Sequence, residues 1–259
     1  MKTMTRRALG AFAILALAGS ALAADGPPSP RKERVTFAKG ASSATLKGAL
    51  KGDSDVDYLV RAAAGQTLSV TIKASNPQNY FNVLPPGTSL ANPAMFVGSG
   101  GGAFKAVLPA DGDYAVRVYL MRPAARRGES SRYTLTVAVD GQALPPLPAA
   151  KDALVPGTPF HATTQVPCTP PFDAKPQQCN AGVIRRGNDG TATVELSGGN
   201  NLKRRILFVK GQAVASDAAD LAGGGGTAPL VSSREGDRNI VKVGADERYE
   251  IPDPLLTGG

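Results

Sequence analysis

The sequence has no tryptophan, and it has only two cysteines and one histidine among its 259 residues. It contains no Cys-x-x-Cys pair, and the single histidine, His161, has no cysteine or histidine near it in sequence. Redox and zinc sites draw their ligands from such clusters, so the pattern excludes the common forms of both. We therefore expect no metal and no cofactor.

Long hydrophobic runs are also missing. The clearest apolar stretch, residues 8–18, is much shorter than the roughly 20 residues that a membrane-spanning helix needs. Lys2, Arg6 and Arg7 precede it and Ala21-Leu22-Ala23 follows it, which is the pattern of a cleavable signal peptide. We expect export to the periplasm with cleavage before Ala24. The Arg6-Arg7 pair leaves twin-arginine export as an alternative.

Glycine and proline are plentiful, at 30 and 21 residues, and they separate short apolar runs. In the clearest run Tyr114, Val116 and Val118 alternate with Ala115 and Arg117, the period of two that is typical of a strand. Strand-like runs in the first half are residues 34–37, 44–50, 58–62, 67–73, 80–84, 94–97, 104–108, 114–121 and 133–139. Nine such runs predict an antiparallel β-sandwich, jelly-roll-like, and no amphipathic helix is evident.

Residues 141–160 are rich in proline and have no periodic pattern, which indicates a stiff, extended linker. Strand-like runs resume at 162–166, 182–185, 192–196, 205–210, 239–243 and 248–251. The sequence therefore predicts an all-β protein with a signal peptide (1–23), a sandwich domain (24–140), the linker (141–160) and a small β-rich domain (161–259).

Positive charge is concentrated in the first half. Residues 24–148 contain 14 Lys and Arg against 9 Asp and Glu, whereas residues 149–259 contain 12 of each. Attraction to an acidic partner should therefore come from the first half. The basic run 203–205 is too short to indicate nucleic-acid binding in an exported protein.

Cys168 and Cys179 are the two cysteines, and they lie close together in the second half. In an oxidising compartment this spacing predicts one structural disulfide closing a small loop. Such a closure stabilises by about 3 kcal/mol in the chain-entropy model.

Residues for catalysis are scarce. His161 lies beside the linker, outside any nucleophile motif, and is expected at the surface or at a strand edge. Asp53, Asp55 and Asp57 alternate like the start of a calcium loop, but Tyr58 stands where that loop needs glycine. A solvated turn is the alternative that we favour, and we predict that the protein is not an enzyme.

The segment after the run at 114–121 has a distinctive charge pattern. Arg122 is followed by Pro123, which can begin a helical turn, and Arg126 lies four residues further on, so one turn aims both arginines the same way. Two neighbouring guanidinium groups form a site for carboxylates. A solvated, charged hairpin loop is the alternative.

Five segments between residues 35 and 139 resemble a known family. They are "FAKGASSATLKGALKG", "DYLVRAAAGQTLSVTI", "YFNVLPPG", "LPADGDYAVRVYLMR" and "AARRGESSRYTLTVAV". Together they resemble the periplasmic inhibitors of goose-type (g-type) lysozyme, whose sandwich fold is related to bacterial pre-peptidase C-terminal domains. The loop from Tyr119 to Arg127 is the part specific to the inhibitors.

The resemblance implies a function and a partner. It predicts an inhibitor that occludes the glycan cleft of goose-type lysozyme with the arginine loop, with Arg122, Arg126 and Tyr58 as partner-binding residues and Tyr119 and Arg117 beside them. Separately, no cysteine follows the cleavage motif, so we expect no membrane anchor, and export together with the neutral second half argues against nucleic acid as a partner. Two alternatives stay open: an envelope module that recognises glycan or an exported protein, and an enzyme with its site between the two domains.

Overall fold

The computed structural model describes residues 30–87, 94–98, 102–173, 175–199, 202–220 and 226–258. The predicted signal peptide, residues 1–23, lies outside the described residues. No helix among the described residues is both long and apolar enough to cross a membrane.

Nine strands form the first half, as the nine apolar runs predicted. They are β1 (Arg31–Arg34), β2 (Ser43–Lys51), β3 (Val56–Ala62), β4 (Thr67–Ala74), β5 (Asn79–Leu84), β6 (Phe96–Val97), β7 (Ala103–Val107), β8 (Gly112–Leu120) and β9 (Ser130–Asp140). The first run was placed about three residues too late. A one-turn helix, α1 (Arg122–Arg126), lies between β8 and β9.

These strands form two sheets, with orders β1-β3-β8-β5-β6 and β2-β9-β4-β7. The β1–β3 pair is parallel, whereas the other strand pairs of both sheets are antiparallel. Alternate residues of each strand point inward, and they build a single core that includes Val60, Val116, Phe81, Leu68 and Leu135. The first half is therefore a β-sandwich.

One eight-stranded antiparallel sheet forms the second half, in the order β14-β13-β12-β11-β10-β17-β16-β15. Its strands are β10 (Ala162–Thr169), β11 (Gln177–Arg185), β12 (Ala192–Ser197), β13 (Lys203–Val209), β14 (Gln212–Ser216), β15 (Leu230–Glu235), β16 (Arg238–Val243) and β17 (Glu247–Pro252), followed by α2 (Asp253–Thr257). The edge strands β14 and β15 contact each other, so the sheet is nearly closed on itself. It encloses a second core with Val183, Val194, Phe208, Val241 and Ile251.

The all-β fold class predicted from the sequence is confirmed, but three elements were missed. β14 and β15 are only five and six residues long, and their apolar residues stand next to one another instead of alternating with polar ones. The five-residue helix α2 is too short for a helical period to show. The predicted disulfide is present, and it joins Cys168 to Cys179 across the paired strands β10 and β11.

Arg186 connects the two halves. Its side chain is fully buried, and its guanidinium donates to both carboxylate oxygens of Asp111, at 2.9 and 3.3 Å, in the turn between β7 and β8. It also donates to the carbonyl of Leu144 in the linker and, at 3.0 Å, to the hydroxyl of Thr193 in β12. One side chain thus holds the sandwich, the linker and the second half together.

The linker is attached along its length. Leu147 donates its amide to the carbonyl of Arg185, and the Arg185 guanidinium pairs with Asp152 at 2.8 Å. His161 bonds through Nε2 to the carbonyl of Leu147 and accepts the Arg185 amide at Nδ1. His161 immediately precedes β10 but is buried, which corrects the expectation of a surface position. It has structural partners on both ring nitrogens.

Candidate functional site

The helix α1 projects two arginines from one end of the sandwich. Pro123 lies in its first turn, where the missing N–H costs nothing. The small side chains of Ala124 and Ala125 are buried beneath the turn, whereas Arg122 and Arg126 are exposed. The helical turn predicted from the sequence is therefore confirmed, and it packs on the sandwich through Ala124 and Ala125.

Glu129 fastens the turn to its surroundings. Its carboxylate accepts hydrogen bonds from Asn76 Nδ2 at 2.8 Å and from Arg127 Nε at 2.7 Å, and these bonds lower the pKa of Glu129. Its backbone carbonyl accepts from the amide of Gly52, and its amide donates to the carbonyl of Ala124. The turn is thus tied to the loops after β2 and β4, and its arginines project from a fixed base.

Arg122 and Arg126 differ from most other arginines of the protein. Neither side chain forms a hydrogen bond or an ion pair with any residue in the described part of the chain. Neighbouring Arg127 is paired with Glu129. Two unpaired guanidinium groups one turn apart can each present a fork of donors to a carboxylate brought by a partner.

Arg117 and Tyr119 lie on the outer face of the five-stranded sheet, on the strand that leads into α1. Arg117 makes a two-bond pair with Asp57 on β3, at 2.7 and 2.9 Å, and this pairing raises the pKa of the guanidinium. The Tyr119 hydroxyl donates to Asn82 on β5 at 3.1 Å, and burial raises the pKa of the phenol. Both side chains are therefore already engaged within the protein.

Asp57, Asn82 and Tyr80 complete this face. Sequence reasoning missed Asn82 and Tyr80, and it favoured a solvated turn for Asp57, which instead lies nearly buried on β3. The Tyr80 ring packs edge-on against Tyr119, with centroids 6.3 Å apart. All three come from strands that are not adjacent to β8 in sequence, so only the sheet register brings them together. The alternation in β5 was the one local signal that Tyr80 and Asn82 share a face.

Tyr58 lies on the opposite side of its strand, inside the sandwich. It is only 1 % exposed, and its hydroxyl is 2.9 Å from that of Tyr133. Burial and this bond raise the pKa of Tyr133. Gly48 makes room for the pair, because a Cβ at that position would lie 2.3 Å from the Tyr133 hydroxyl. The structure therefore separates Tyr58 from the exposed arginines.

The second half contains a cavity of about 250 Å³ between β13, β17 and the loop after β10. Arg204 on its wall is nearly buried, and it donates to Asp217 at 2.9 Å and to both oxygens of Glu247 at 2.7 Å. Burial alone would lower the pKa of Arg204, but these two carboxylates raise it. All three nitrogens of the guanidinium donate to these carboxylates, so Arg204 serves the packing of the second half.

Asp57 is the one residue of the Asp53, Asp55 and Asp57 series whose carboxylate forms an ion pair among the described residues. No group of three or more His, Cys, Asp or Glu side chains in the described ranges is arranged to hold a metal ion. The calcium alternative thus has no ligand cluster there to support it.

The second half contacts the sandwich at the end away from α1. Asp111 and Pro109, just before β8, bond to Arg186 and Thr193, and Ala64 in the turn after β3 packs against Leu207. The helix α1 follows the other end of β8, eight residue steps away, which is roughly 26 Å at strand spacing. These contacts therefore leave the arginine turn uncovered.

The fold and the site define an all-β protein that presents an arginine turn at one end of a β-sandwich. The sequence matches no model of a known protein family, and no curated protein matches it. Among solved structures it is similar to Aeromonas hydrophila PliG, a periplasmic inhibitor of g-type lysozyme, with 40 % identity and a TM-score of 0.41. That similarity covers 42 % of this chain and 96 % of the inhibitor.

Two further inhibitors of g-type lysozyme are similar. PliG of Salmonella Typhimurium is 26 % identical, and a mutant PliG of Escherichia coli is 24 % identical; each is covered completely by 43 % of this chain, with a TM-score of 0.34. Because 40 % identity extends over nearly the whole A. hydrophila inhibitor, the chain belongs to the family of periplasmic inhibitors of g-type lysozyme, through the 42 % of its length that this similarity covers.

Proposed function

We propose that the protein is a periplasmic inhibitor of g-type lysozyme that blocks the glycan cleft of the enzyme with Arg122 and Arg126. The observation that carries the proposal is the pair of exposed, unpaired guanidinium groups on a turn anchored at its base. Membership of this family supports g-type lysozyme as the partner. The protein acts by binding, and it needs no cofactor and no catalysis of its own.

The chemistry of the target suits this pair. Glycosidases cleave with acidic side chains set in a groove that accepts polysaccharide. A guanidinium inserted into such a groove pairs with a carboxylate through two parallel hydrogen bonds. Because the groove excludes water once it is occupied, the charge pairs are stronger than pairs at an open surface. The same insertion excludes the glycan.

The other predicted residues take supporting roles in this proposal. Arg117 and Tyr119 border the arginine turn on an outward face and form the edge of the contact. Tyr58 acts from inside, because its bond to Tyr133 braces β3 against β9, the strand that follows the turn.

We also propose that the two halves have different roles. The sandwich of residues 24–140 carries the inhibition, since the arginine turn lies far from the contacts with the second half. The part from residue 161 onward forms a separate structural unit with its own core.

A lysis assay tests the function. Turbidity of a cell-wall suspension is followed with goose-type lysozyme and, separately, with chicken-type lysozyme, each with and without the mature protein. We expect goose-type lysozyme to be inhibited and chicken-type much less or not at all. Equal inhibition of both enzymes, or of neither, would contradict the proposal.

A fragment tests the division of labour. Residues 24–145 should fold and inhibit as strongly as the full chain, with a lower melting temperature because Asp111 and Ala64 lose their partners in the second half. Loss of inhibition in a folded fragment would show that the second half contributes to the contact with lysozyme.

A further inference from the structure

The outer face of the four-stranded sheet carries a dense group of cations. Lys47 and Lys51 on β2, Arg132 on β9 and Lys73 on β4 are all exposed. We call these four residues the basic face. None of their four side chains forms an ion pair or a hydrogen bond with a residue in the described part of the chain.

The strand register shows how close together these cations lie. Lys47 and Lys73 flank Thr134 from both sides, while Lys51 pairs with Ser130. The basic face therefore extends four residue steps along β9, roughly 13 Å, and two strand spacings across it, roughly 10 Å. Lys105 on β7 adds a fifth exposed cation further along the same face.

Acidic residues are nearly missing from this surface. Within β2, β9, β4 and β7, which the structure describes in full, the one carboxylate is Asp140, at the far end of β9. It is bonded to Ser42. At the near end Asp53 lies in the turn after β2, and Glu129 is occupied by Asn76 and Arg127. The positive charges of the basic face thus repel one another without compensation inside the protein.

Apart from Tyr133, the surface between these cations is formed by small residues. A shallow groove of about 430 Å³ runs across it, lined by Lys47, Gly48, Ala49, Lys73, Arg132, Tyr133 and Thr134. The Tyr133 ring is turned inward and is only 4 % exposed. Aromatic rings that would stack on sugars or nucleotide bases are therefore missing from this groove.

We propose that the basic face docks the protein onto a bilayer surface rich in anionic phospholipids. The cations spread in two dimensions over three strands of one sheet face, which fits a planar array of phosphate groups better than a single linear polyanion. The groove lining includes no large apolar side chain that would enter the bilayer, so the attachment is electrostatic and reversible. The proposal goes beyond lysozyme inhibition and does not depend on it.

Docking in this way is compatible with the rest of the molecule. The basic face belongs to the β2-β9-β4-β7 sheet, whereas Arg117 and Tyr119 lie on the outer face of the other sheet. The outer faces of a sandwich point in opposite directions. A docked protein therefore turns the Arg117 face away from the bilayer.

Co-sedimentation with vesicles tests the proposal. The mature full-length protein is mixed at low salt with vesicles of equal parts phosphatidylglycerol and phosphatidylcholine, or of phosphatidylcholine alone. We expect binding to the anionic vesicles only, weakening steeply as salt is added. The Lys47→Glu/Lys73→Glu variant should bind at least about 30-fold more weakly, because each basic residue near an anionic surface contributes about a factor of five.

The matched control is Lys151→Glu/Lys242→Glu, which makes the same change of charge at exposed lysines of the linker and of β16. It should keep most of the binding. If Lys47→Glu/Lys73→Glu does not keep the parent melting temperature, Lys47→Gln/Lys73→Gln replaces it. Equal loss in both double variants, binding to neutral vesicles, no binding at low salt, or binding to soluble heparin without binding to vesicles would each overturn the proposal.

Discussion

Two arginines of the sandwich contrast with two arginines at the junction and in the second half. In the sandwich, Arg122 and Arg126 are exposed and find no partner among the described residues. At the junction and in the second half, Arg186 and Arg204 are buried and every nitrogen of each guanidinium is hydrogen-bonded. A buried guanidinium without its partners would be very costly, so the second group holds the architecture. The first group is available to another molecule.

The comparison separates two kinds of mutational effect. Removing an exposed, unpaired arginine should change binding and leave folding intact, whereas removing the partner of a buried arginine should do the reverse.

The largest effect is expected at the arginine turn. Arg122→Ala and Arg126→Ala should each weaken inhibition of goose-type lysozyme by about 2–5 kcal/mol, because each leaves a carboxylate buried in the cleft without its partner. This corresponds to roughly 30-fold to several thousand-fold in the inhibition constant. The inhibition constant is measured by titration in the lysis assay.

Arg132→Ala is the control for that measurement. It removes an exposed arginine beyond the turn and should alter mainly the association rate and its salt dependence. All three variants should melt within a few degrees of the parent. Unchanged inhibition by both turn variants would show that the turn is a solvated loop without a role in binding, and it would contradict the proposed mechanism.

The next effect concerns the junction. Asp111→Ala leaves Arg186 buried without its carboxylate, and it should lower the free energy of unfolding by about 3 kcal/mol. Asp113→Ala, two residues away, removes a surface pair with Arg34 and should leave stability nearly unchanged. Urea denaturation of both variants gives the comparison. Inhibition should be normal in both, and a strong loss of inhibition by folded Asp111→Ala would connect the junction to the site.

A slightly smaller effect is expected from the disulfide. Reducing Cys168–Cys179 should destabilise the second half by about 2–3 kcal/mol and leave the melting transition of the sandwich in place. Calorimetry with and without reductant measures both transitions. If the two shift together, the junction at Arg186 makes the halves unfold as one unit.

The smallest effect distinguishes Tyr58 from Tyr119. Tyr58→Phe leaves the Tyr133 hydroxyl without its bond and should cost about 1 kcal/mol of stability, with inhibition unchanged. Tyr119→Phe loses only a half-buried bond to Asn82, so any loss of inhibition reports contact with lysozyme. Weaker inhibition by Tyr58→Phe at full stability would instead assign Tyr58 to the contact surface.

Much of the fold was predictable because strand period is a local property. Alternating apolar residues located eight of the nine sandwich strands closely, and the proline before two alanines located α1. The same alternation placed Tyr58 with Val56 and Val60, which are core residues, so its buried position could have been predicted. β14 and β15 were missed because these short strands have adjacent rather than alternating apolar residues.

The sequence alone determined the strands, the disulfide and the helical turn that carries Arg122 and Arg126, since each depends on spacing within a few residues or on a count of two cysteines. Only the tertiary structure decided which charges are free. Arg117 meets Asp57 across 60 residues and Arg186 meets Asp111 across 75, while the basic face gathers cations from three strands that are not consecutive in the chain. Sheet order and register set these contacts, and both are settled by packing between distant segments rather than by local periodicity.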